Sequence, residues 1–87
     1  MHELSLAEAL VDLVAERTAG RQVVAVNLRV GQRSGVVADA LAFCFDVVTV
    51  ETSLAGAVLH IEAVDGEDLS VASVEMLREA EEEQSCA

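Results

Sequence analysis

Apolar positions along the chain recur first with the period of a helix, then with that of a strand, and the alternation repeats. Leu6, Leu10, Leu13 and Val14 gather on one side of a helical projection, while Ser5, Glu8, Asp12 and Glu16 form a polar stripe. Ser5 and Glu8 make an S-x-x-E pattern ahead of the apolar run, the sign of a capping box. It predicts a first helix from about Leu6 to Thr18, with Glu3 as the earliest alternative start and Gly20 as its stop. Val24, Val26, Leu28 and Val30 then alternate with Ala25, Asn27 and Arg29, the clearest strand in the chain. A second helix is expected from about Asp39 to Val50, with Leu41, Cys44, Phe45 and Val48 on its apolar face. Phe43 and Val47 widen that face and leave Asp39, Asp46 and Thr49 as a narrow polar edge. Such a helix is covered on more than one side, by the core or by a partner surface near Phe43 and Val47.

Val58 to Val64 reads as a second strand, with Leu59, Ile61 and Ala63 facing one way and His60 and Glu62 the other. Leu69 and Val71 mark a third. Register favours a three-residue connection, Asp65-Gly66-Glu67, which pairs Ile61 with Val71 and Ala63 with Leu69 and places Gly66 in the left-handed region. The expected fold is α+β, two helices packed on one face of a three-stranded mixed sheet in the order α-β-α-β-β. Residues 1–76 form the domain, and residues 77–87, with four close-spaced glutamates, form an acidic C-terminal tail.

Composition narrows the function. The chain has 87 residues and a formal charge of −11, which argues against nucleic acid and anionic membranes and favours a cation or a basic protein. A domain this small buries only about 60% of its unfolded surface, and its one-sided sheet has open edges, so a homodimer is a credible expectation. Phe43 and Phe45 are the only aromatic residues, which leaves the core to Val, Leu, Ile and Ala. The start lacks a signal-peptide pattern, and no apolar run approaches the roughly 20 residues that span a bilayer. Cys44 and Cys86 form neither a disulfide framework nor a zinc site. The expected compartment is the cytoplasm. An enzyme is not expected, because no Ser/His/Asp set, thiol–histidine pair or phosphate loop is present; the loop GQRSG at residues 31–35 lacks both the GKS/T ending and G-x-G-x-x-G spacing.

The chemistry gathers at Met1-His2-Glu3. A histidine in second position puts the Met1 α-amine, the His2 amide once deprotonated and the His2 imidazole within reach of one metal ion. Such nitrogens in a tetragonal arrangement suit Ni(II) or Cu(II), and Glu3 can add its amide or its carboxylate. The alternative is that these residues are the exposed start of a helix. Glu8 and Asp12 read as a solvated face, and His60 as a strand-surface residue that would join the metal only if the last strands lay near the N-terminus.

The start MHELSLA, the strand VVAVNLRVG, the loop SGVVADAL, the helix AFCFDVVT and the segments LAGAVLHIE and LSVASVE follow one another in an order that resembles the HypA family. The resemblance covers nearly all residues up to about Val74. It implies a nickel-binding metallochaperone-like accessory protein of [NiFe]-hydrogenase maturation, with nickel held by Met1, His2 and Glu3. It also implies two partners, a HypB-type GTPase and the hydrogenase large-subunit precursor. The family's zinc domain, with two CxxC pairs between the last two strands, has no counterpart: Ala63 to Asp68 bridges that gap and no CxxC exists, so zinc is not expected. A second reading remains open, a HypA-fold interaction or regulatory module that has lost nickel transfer and acts through protein–protein contacts.

Overall fold

The computed structural model describes residues 3–78. Met1, His2 and the tail from residue 79 onward, Cys86 included, lie outside the described residues. Five elements follow in the expected order: α1 (Glu3–Arg17), β1 (Val23–Gly31), α2 (Ala38–Val48), β2 (Val58–Val64) and β3 (Leu69–Met76). The fold is α+β, with the two helices against a mixed three-stranded sheet.

Helix α1 takes the earlier of its two predicted starts, so Ser5 lies inside the helix and does not cap it. Ala7, Leu10, Val11 and Val14 are its buried residues, whereas Leu13, expected in the core, is 42% exposed. The helix closes as expected at Gly20, whose φ is +77° and whose N–H donates to the Ala15 carbonyl at 3.0 Å. Thr18, also buried, turns its hydroxyl back onto the Val14 carbonyl at 2.8 Å.

The sheet order is β2-β1-β3, with β1 parallel to β2 and antiparallel to β3. This corrects the direct pairing of β2 with β3. β1 is the central strand because it is the most apolar: Val23, Ala25, Val26, Leu28 and Val30 are all buried, as a strand covered on both edges requires. β2 and β3 keep a polar outer side and serve as edges. The side-chain rows survive the correction with β1 inserted between them. Leu28 is level with both Ile61 and Val71, and Val30 with both Ala63 and Leu69. The connection is four residues, Asp65 to Asp68, rather than three, because it must pass over the end of β1. Gly66 does have the expected positive φ, +107°.

Two irregularities decide which side chains face the helices. A register shift between Val23 and Ala25 leaves Val24 as the extra residue, so Val23 is buried and Val24, expected inward, is 37% exposed. A second shift, opposite Asn27 and Leu28, lets Val71 and Val74 both pack against the core although they are three residues apart. The core is closed by Leu41 and Phe45 of α2 and by Leu54 of the turn-rich segment that leads to β2, all three fully buried.

The sheet face away from the helices is wet, as expected. Asn27 donates to the Ser73 hydroxyl at 2.9 Å and to Glu75 at 3.2 Å, and Arg29 stands 3.6 Å from Glu62. That ion pair is solvent-exposed and contributes little stability.

Candidate metal-binding site

The N-terminal end of α1 is fixed to the start of α2 by one side chain. Val37, the residue that opens α2, cannot cap a helix with its own side chain and makes no such bond. Its backbone N–H instead donates to Glu3 Oε2 at 3.1 Å. This is the reciprocal half of a capping box, in which a glutamate accepts from the N-cap amide, supplied here by a different helix. The carboxylate also sits at the positive end of the α2 dipole, where negative charge is favoured. The loop before α2 is shaped for this contact: the Val36 N–H donates to Ser34 Oγ at 3.2 Å, and the Leu41 N–H to the Val37 carbonyl at 3.0 Å. The S-x-x-E pattern in the sequence therefore pointed to the wrong acceptor. A glutamate does cap a helix start, but it is Glu3, from 34 residues away.

Of the predicted ligands Met1, His2 and Glu3, only Glu3 lies within the described residues. Glu3 is the first residue of α1. Among the described residues, no group of three or more His, Cys, Asp and Glu side chains is arranged to hold a metal ion.

His60 lies on the wet face of the sheet, level with Asn27, while its neighbours Leu59 and Ile61 pack toward the core. The sheet stands between it and the helices. Glu8 and Asp12 are exposed and, with Val11, Val48 and Thr52, line a cleft between α1 and the C-terminal end of α2. Cys44 is a free, half-buried thiol packed against the core cluster. No helix among the described residues is long and apolar enough to cross a membrane.

Comparison with known proteins gives the class. Residues 1–69 match a family model described as "Hydrogenase/urease nickel incorporation, metallochaperone, hypA". The chain belongs to the HypA family. It is 47% identical over 66 residues to the hydrogenase maturation factor HypA of Geobacter metallireducens, covering 76% of this chain and 60% of that protein. It is 51% identical over 67 residues to the HypA of a Roseiflexus species, covering 74% and 54%. The chain thus spans little more than half the length of these relatives. The solution structure of the nickel metallochaperone HypA from Helicobacter pylori has the same fold, with a TM-score of 0.72 at 18% identity, over 91% of this chain and 100% of the other.

Proposed function

We propose that the chain holds Ni(II) at its N-terminus and serves as a metallochaperone-like accessory protein in [NiFe]-hydrogenase maturation. The Met1 α-amine and the His2 amide and imidazole supply three nitrogens. Glu3 supplies the fourth donor, by its amide or by its carboxylate, whose Oε2 also accepts the Val37 N–H. The observation that carries this reading is the sequence Met1-His2-Glu3 at the head of a chain whose family is described as nickel-incorporating. The Glu3–Val37 bond supports it by tying the start of α1 to the start of α2.

Amine, amide and imidazole bind metal only when deprotonated, so nickel is released as pH falls. Such a donor set favours Cu(II) over Ni(II) in raw affinity, so metal supply decides which ion is carried. By family resemblance the partners are a HypB-type GTPase and the hydrogenase large-subunit precursor that receives the nickel, in the cytoplasm. With no CxxC pair in the sequence, zinc takes no part.

Delivery is tested by expressing the chain in a hydrogenase-producing bacterium that lacks its own HypA. Hydrogenase activity restored by the wild type and not by His2→Ala, at equal protein levels, is the expected result. Equal restoration by both would remove the N-terminal site from the mechanism. Restoration by neither, with both proteins present, would favour the interaction-module reading, for which the exposed face of α2 is the structural argument.

A further inference from the structure

The second helix carries an outer face that neither the core nor the nickel reading uses. Phe43 is 70% exposed and Val47 52%, four residues apart on one side of the helix, and Val50, in the turn just after it, is 63% exposed. Phe43 thus lies outside the core, while Phe45 two residues later is fully buried within it. Asp39 and Asp46 stand four residues before and three residues after Phe43, so an acidic group lies one turn away on either side of the ring. The α1–α2 cleft adds Glu8 and Asp12 alongside Val48. In sequence, α2 carries no basic residue, and no lysine or arginine occurs between Arg33 and Arg78.

We propose that this face docks a helical protein segment with an apolar stripe edged by arginines. Its apolar side chains would cover Phe43, Val47 and Val50. One arginine would lie over the Phe43 ring between Asp39 and Asp46, where the ring face and both carboxylates attract a cation. A second would enter the cleft at Glu8 and Asp12. A second copy of the chain is disfavoured as the occupant, since each copy carries a formal charge of −11 and each α2 presents the same acidic rim. The inference rests on α2 and its cleft and stands whether or not Met1 and His2 hold nickel.

The test uses the full 87-residue protein, treated with chelator, and a fluorescein-labelled synthetic helix with a leucine face edged by arginines, read by anisotropy. Binding is expected, with affinity weakened at least tenfold by Phe43→Ser and by the double substitution Asp39→Asn/Asp46→Asn. Asp65→Asn/Glu67→Gln removes the same charge at the β2–β3 connection and is expected to leave affinity unchanged. Circular dichroism confirms that each variant is folded. The proposal is overturned if Phe43→Ser binds as the wild type does, if the two charge variants lose affinity equally, or if a glutamate-edged peptide binds as well. It is also overturned if sedimentation shows a dimer that Phe43→Ser dissolves, which would make the second copy the occupant.

Discussion

Phe45→Ala is expected to destabilise the fold by about 3–5 kcal/mol, the usual range for emptying a buried aromatic site. Phe45 is fully buried and heads the largest enclosed side chains of a core otherwise built from aliphatic residues. Removing its ring leaves a cavity among neighbours too small to fill it. A domain of this size has a total stability of roughly 4–13 kcal/mol, so the variant loses a large part of it and denatures at far lower urea. Phe43→Ala is the internal comparison. The same atoms are deleted two residues away on the same helix, from a ring that is 70% exposed, and the urea midpoint should stay within error. Equal losses at the two positions would mean that α2 is rotated from the orientation described.

Gly31→Ala is the second large effect, and its cause is crowding against backbone. A methyl group at Gly31 would fall on the Gly66 carbonyl and lie 2.9 Å from the Asp68 nitrogen. Neither neighbour is a flexible side chain that can swing away. The β2–β3 connection crosses the end of β1 here and is laced to it by three backbone hydrogen bonds: Gly31 N–H to the Asp68 carbonyl at 2.7 Å, Gln32 N–H to Val64 at 2.8 Å, and Arg33 N–H to Gly66 at 2.8 Å. Displacing the connection weakens all three as well as relieving the clash. Overpacking of this kind costs about 1–3 kcal/mol, and the weakened bonds add roughly 0.5–1.5 kcal/mol each. A fall in melting temperature of about 10 °C or more follows for a domain of this length. Gly35→Ala gives the contrast. Gly35 has φ +83° but open space where the methyl would go, so only backbone strain is felt, about 1 kcal/mol. A Gly31 variant as stable as the Gly35 variant would show that the crossover is not held against β1.

Periodicity located all five elements, because each hydrophobic stripe had to face one core. It did not reveal their neighbours. β2 and β3 are close in sequence and their patterns match in register, so a hairpin looked sufficient. The sequence signal against it was β1 itself, an apolar run from Val23 to Val26 beyond strict alternation, in which Val23, Ala25 and Val26 are buried, as befits a strand with a partner on each edge. The bulge at Val24 could not be read from alternation, since a bulge consists of breaking it. Leu13 shows the limit of a helical projection. It lies on the apolar side of α1, but α1 buries Val11 instead, and Leu13 is left beside Arg17 at the groove along β3. At the candidate site, the proposal of Met1, His2 and Glu3 as ligands comes from local spacing in the sequence. The capping role of Glu3 was not legible there, because the donor it accepts from, the Val37 N–H, is chosen by how the two helices meet.

The central claim is nickel at the N-terminus, and it is tested most directly by titrating Ni(II) into the untagged protein, His2→Ala and an N-acetylated form. Calorimetry and the visible d–d absorption of square-planar nickel are read together. One equivalent bound by the wild type, with the absorption band present, and both signals lost in the two variants is the predicted result. Equal weak binding in all three, without the band, would assign the metal to the acidic surface and contradict the claim.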